Sequence, residues 1–94
     1  MLKIVFSYDV PSEKHGEYLK ITKDAIKPFW ESHGCDAYTV WLSLEGSKRF
    51  IKEMIFKDEC TMQSAMSLAE AEPIKKLFFQ FAGNITRATY TQAV

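Results

Sequence analysis

Residues 49–58 read RFIKEMIFKD, and within them a carboxylate sits in an apolar row: Glu53 shares one strand face with Ile51 and Ile55. In a desolvated setting such a carboxyl holds its proton more tightly, which is how a carboxylate becomes a general base. The structural alternative is an edge-strand carboxylate, inward-pointing or paired with lysine, that discourages sheet-to-sheet aggregation. A second titratable group, His33, lies beside Gly34 in FWESHGCDAYTVW (29–41), at the expected end of a helix. There it either caps the negative helix end or exchanges protons at a pocket mouth. The same segment holds both tryptophans. Trp30 continues a helical stripe and Trp41 falls in mid-strand, so each suits core or dimer packing, or the wall of an apolar pocket. Cys35 and Cys60 form no CxxC pair and no Cys/His zinc spacing, and no metal site is expected. A thiolate at Cys60 favoured by a helix N-terminus, a disulfide and two inert thiols are all compatible with their positions.

The elements that must position these groups follow from periodicity. LKIVFSYD (2–9) alternates, with Leu2, Ile4, Phe6 and Tyr8 on one face and Lys3, Val5, Ser7 and Asp9 on the other, which predicts a strand. Pro11 and a Ser12 N-cap open a helix in which Tyr18, Leu19, Ile21, Ala25, Ile26, Phe29 and Trp30 recur at helical steps. Pro28 should interrupt it and kink its last turn, and Gly34 suits a C′ position with positive φ. DAYTVWLSL (36–44) and RFIKEMIFKD (49–58) read as a hairpin around EGSK, with the turn centred on Gly46 and Ser47. That turn pairs Leu42 with Ile51, Val40 with Glu53 and Tyr38 with Ile55, a register that a one-residue change in the loop would alter. A helix follows from residue 59, Pro73 restarts another in its first turn, and NITRATYTQAV closes the chain as a strand.

The order is β-α-β-β-α-β, an α+β ferredoxin-like sandwich over residues 1–94 as one domain. It has a four-stranded antiparallel sheet and both helices on one face. Apolar groups also mark the other face, so a second copy of the chain is the expected cover, making a homodimer through the open sheet face. In the 94-residue chain, twelve Lys and Arg balance twelve Asp and Glu. That balance gives no basic stripe for nucleic acid. No stretch approaches the roughly 20 apolar residues of a membrane span, the N-terminal apolar run is too short for a signal peptide, and a cytoplasmic protein with reduced thiols is expected.

With this order of elements and an apolar second face, the chain resembles the dimeric α/β-barrel superfamily, which includes antibiotic biosynthesis monooxygenase-like and NIPSNAP-like families. FWESHG leading into the second strand is similar to the helix end of NIPSNAP-like domains, and FIKEMIFKDECTMQSAM resembles the strand-to-helix passage common across the group. The resemblance implies a cofactor-free oxygenase or isomerase-like enzyme acting on a small aromatic or polyketide-type substrate. It would have Glu53 or His33 as base, Tyr38 or Tyr8 as donor, and Trp30 and Trp41 around the ring. A non-catalytic dimeric binding or interaction module is the alternative. Haem-degrading relatives carry an iron-ligating histidine on the second helix and an asparagine on the first strand. Residues 59–82 hold no histidine and Ser7 stands on the first strand, so no haem or other cofactor is expected.

Overall fold

The computed structural model describes residues 1–46 and 48–94. Strands β1 (Leu2–Asp9), β2 (Cys35–Leu42), β3 (Phe50–Phe56) and β4 (Gly83–Thr91) pair antiparallel in the order β2-β3-β1-β4. Between β1 and β2 the chain is helical from Ser12 to Glu31. A 3-10 turn (Ser12–Lys14) leads into α1 (His15–Ile21), a π-turn (Thr22–Ile26) and α2 (Lys27–Glu31). From β3 to β4 it passes through α3 (Glu59–Met66) and α4 (Ala71–Phe81), with Pro73 in the first turn of α4. This is the α+β ferredoxin-like arrangement, its two crossovers interleaved so that β1 and β3 lie at the centre. No helix among the described residues is long and apolar enough to cross a membrane.

The long helical arm buries Tyr18, Thr22, Ile26 and Trp30, one residue in every four. In a regular α-helix each four-residue step overshoots a turn by about 40°, so this stripe would drift by about 120° between Tyr18 and Trp30. The π-turn takes up the drift. The Lys27 N–H donates to the Thr22 carbonyl five residues back, and the wider turn keeps the stripe on the sheet. It also precedes Pro28, which has no N–H to give. The interruption expected at Pro28 therefore occurs one turn earlier, and the helix runs through the proline to Glu31. At its end Gly34 adopts φ +102°, and a Cβ there would stand 2.9 Å from Cγ2 of Thr61, so both backbone and space require glycine. At the start, Ser12 makes no capping bond; Pro11 occupies the cap position. Asp58 caps α3, accepting from the Thr61 N–H at 2.7 Å.

The expected hairpin register is displaced by one residue. Val40 pairs with Lys52, Thr39 with Glu53, Tyr38 with Met54 and Trp41 with Ile51. The connection is longer than a two-residue turn: the Ser43 N–H donates to the Arg49 carbonyl, and Gly46 and Lys48 both take positive φ. Ser47, the second central residue of the expected turn, lies outside the described residues. The displaced register satisfies burial better. It places Phe50, Met54 and Phe56 on the helix-covered face beside Tyr38 and Val40, whereas the expected one would have set Glu53 in that layer. A bulge between Cys35 and Ala37 brings Cys35 onto the same covered face.

Two buried clusters fill the helix–sheet layer. One centres on Ile4, Ile26, Trp30, Tyr38, Met54 and Phe56, the other on Tyr8, Tyr18, Phe50, Phe78 and Phe81. The opposite sheet face bears Val5, Ala37, Trp41, Ile51, Ile55 and Tyr90 with no layer over it, and Trp41 is 60% exposed.

Candidate functional site

The three candidate catalytic residues lie in three different surroundings. Glu53 is on the uncovered face of a central strand, not an edge, between Val5 and Thr39, and its carboxylate stands 3.7 Å from the Lys3 ammonium. His33 is exposed at the end of α2, where Nδ1 bonds the Phe29 carbonyl at 2.7 Å and the ring stacks on Phe29. Tyr38 is buried on the helix side of the sheet. Glu53 and Tyr38 thus point to opposite faces, a direct consequence of the one-residue displacement.

The candidate ligand-binding residues separate as well. Trp30 is buried beneath α2, while Trp41 stands on the open face with its indole N–H donating to Thr39 Oγ1 at 3.1 Å. Tyr8 is buried, its hydroxyl bonded to that of Tyr18 and its ring stacked on Phe50. Burial pushes the Tyr8, Tyr18 and Tyr38 hydroxyls above their ordinary values, and all three stay protonated near neutral pH. Both cysteines are free. Cys35 is buried with its thiol pushed up by desolvation and bonded to the Ala37 carbonyl, and Cys60 is exposed. No cluster of metal-ligating side chains occurs among the described residues.

What the layer does assemble is a site around Lys52. Its row on β3 is Phe50, Lys52, Met54, Phe56, and the lysine is only 4% exposed. The ammonium stands 3.4 Å from the Phe78 ring centroid, 4.4 Å from Phe6 and 5.6 Å from Tyr38. Among the described residues no carboxylate pairs with it. Desolvation therefore drives its pKa from 10.5 down to about 7, resisted by a weaker effect of Cys35. Above the amine a pocket of about 210 Å³ opens between the sheet, α3 and α4, walled by Phe6, Trp30, Met66, Ile74, Phe78 and Phe79. Lys75 and Arg87 stand at its margin. On the same covered face, the Tyr38 hydroxyl is buried without a hydrogen-bond partner among the described residues. A half-neutral amine in an apolar, aromatic pocket is equipped to exchange a proton with a bound ligand or to hold an anion there.

Sequence reasoning singled out Glu53 and passed over its neighbour. The signal was present: a lone lysine in the row Phe50, Met54, Phe56 breaks the apolar pattern more sharply than Glu53 breaks its own. A larger groove of about 620 Å³, over Met1, Lys3, Val5, Ile55 and Tyr90, lies on the uncovered face, away from this chemistry.

No protein-family model matches the sequence, and no curated protein does. Solved structures do match. HapK from Hahella chejuensis superposes with a TM-score of 0.85 at 8% identity, over 98% of this chain and 92% of that one. A mutant of SnoaB, a cofactor-independent oxygenase from Streptomyces nogalater, gives 0.82 at 11% identity over 99% and 93%. A solved antibiotic biosynthesis monooxygenase has the same fold, with a TM-score of 0.77 at 13% identity over the whole of both chains. A NIPSNAP domain protein from Burkholderia xenovorans shares it, with a TM-score of 0.76 at 13% identity over 99% and 95%. At these identities the likeness to monooxygenase-like and NIPSNAP structures concerns the fold alone, and the chemistry rests on the residues of this chain.

Proposed function

We propose that this chain is a homodimeric α/β-barrel protein that takes a small aromatic ligand between its sheet and its helices, with Lys52 as the proton-exchanging group. The observation that carries this reading is the buried Lys52 amine, caged by aromatic rings and facing a pocket without a carboxylate partner among the described residues. Burying an amine in this way costs stability, and such cost is commonly found where a group binds or reacts. The pocket is smaller than the roughly 300–1,000 Å³ of drug-sized sites, so it suits one ring or two fused rings.

In the enzymatic form of this proposal the neutral amine takes the proton of an acidic phenol or enol. The amine becomes an ammonium, the ligand becomes its anion, and the two charges remain paired in a low-dielectric pocket. Trp30 and Phe78 hold the ring, and Tyr38 positions the lysine from behind. A substrate anion formed in this way is what reaction with dioxygen would require, the activity type named for SnoaB. Glu53 then serves the sheet-face interface through Lys3, and His33 caps α2. The test is oxygen uptake with small hydroxylated aromatics such as naphthalene diols. Uptake that is abolished by Lys52→Met supports the enzyme; uptake equal in the two proteins removes Lys52 from the chemistry.

The non-catalytic binding module is favoured by one observation, that Glu53 is paired with Lys3 on the uncovered face and not held in a cavity with Tyr38. Ring binding in the Lys52 pocket with no oxygen uptake from any hydroxylated ligand would select it. In either form the second copy packs on the open sheet face. There the apolar row around Trp41, Ile51 and Tyr90 supports an interface on the order of 1,200–2,000 Å².

A further inference from the structure

We infer that the ligand of the Lys52 pocket is a small aromatic acid bound as its anion, with its ring among the aromatic side chains and its acid group toward Lys52. The inference rests on the ligand-binding reading above and narrows it. Every charged side chain lining the pocket is basic: Lys52 at its base, and Lys75 and Arg87 at its margin. Lys75 is partly occupied, its ammonium donating to the Met66 carbonyl at 2.7 Å and to Glu72 at 3.2 Å. Lys52 makes no hydrogen bond and no ion pair among the described residues, and its ammonium lies over the ring faces of Phe78, Phe6 and Tyr38. A ring face attracts a cation without satisfying its three donors. An anion entering the pocket would supply both an acceptor and the opposite charge, whereas a neutral ligand of the same shape, even one with a carbonyl acceptor, would leave the ammonium's charge uncompensated.

The groups facing Lys52 from the packed elements are few. Cys35 and Tyr38 on β2 are held protonated by burial above the neutral range. Phe78 faces it from α4, and Lys75 of α4 and Arg87 of β4 supply the remaining charges. The pH window of binding therefore belongs to Lys52. With a pKa of about 7, its charged fraction falls about tenfold between about pH 6 and about pH 8, and affinity for an anion falls with it.

The test uses benzoate and its neutral isostere benzamide, titrated calorimetrically into the wild-type protein across that pH range, and into Lys52→Met at one pH. The expected result is benzoate tighter than benzamide by about tenfold or more near pH 6, with the preference shrinking about tenfold by about pH 8 and lost in Lys52→Met. The wild-type pH series stands on its own if the variant fails to fold. Equal affinity for the two probes, or a benzoate affinity indifferent to pH, overturns the acid inference and leaves the aromatic pocket intact. Binding of neither probe removes the pocket reading itself, and the inference with it.

Discussion

Replacing Lys52 by methionine should make the protein more stable, and the size of the effect follows from its surroundings. The side chain is 4% exposed, and desolvation moves its pKa from 10.5 to about 7, about 3.5 units. At about 1.4 kcal/mol per unit, keeping the amine charged in the folded state costs about 5 kcal/mol. Methionine keeps nearly the same volume among the rings, so the gain near neutral pH is at most about 4 kcal/mol, the folded amine being partly deprotonated there. The pH dependence has a fixed sign. Between about 7 and 10.5 the unfolded chain carries a proton that the folded one has released, so wild-type stability rises with pH across that window and is level below it. Urea denaturation of both proteins at several values between about pH 6 and about pH 9 reads the difference, with other titrating groups cancelling between them. The wild-type curve should converge on the Lys52→Met curve as pH rises, by up to about 1.4 kcal/mol per unit. A variant no more stable at neutral pH, or two curves running parallel, would refute the argument that this amine is buried at a cost.

Five further substitutions probe the rest of the site and fold. Tyr8→Phe strips the Tyr18 hydroxyl of its buried partner and should cost about 1–3 kcal/mol in denaturation; Tyr38→Phe, its control, removes a hydroxyl that has no partner among the described residues and should be neutral or stabilising. Gly34→Ala should destabilise by about 1–3 kcal/mol, and Thr61→Ser in the same chain should recover the steric part by deleting Cγ2, leaving the backbone part. Trp41→Arg, on the uncovered face, should convert the proposed dimer to a folded monomer in sedimentation with an unchanged far-ultraviolet spectrum; a stable wild-type monomer at micromolar concentration would refute the proposed interface.

The strands were legible because their alternation is clean: Ile4, Phe6 and Tyr8 face the helices as the pattern requires. The register was not legible. It depends on how many residues the loop consumes, and that depends on Lys48 accepting a left-handed conformation that nothing in its type announces. One residue of error there put Glu53 on the face of Tyr38, whereas the structure sets the two on opposite faces and puts Lys52 beside Tyr38. The π-turn was equally silent. A stripe at strict four-residue spacing hints at it only once Tyr18, Thr22, Ile26 and Trp30 are known to be buried together.

The order β2-β3-β1-β4 also sets a timetable. Leu2 pairs with Phe56 and with Thr91, and the Gln92 N–H reaches the Met1 carbonyl, so the first strand made is the one whose partners arrive last. During synthesis only the β2–β3 hairpin can close early, leaving β1 with its Ile4, Phe6 and Tyr8 row waiting until β3 and then β4 emerge. Loop-closure entropy is shared between two long-range pairings, β1 with β3 and then β1 with β4. A shortened C-terminus therefore leaves the central strand with one neighbour in place of two.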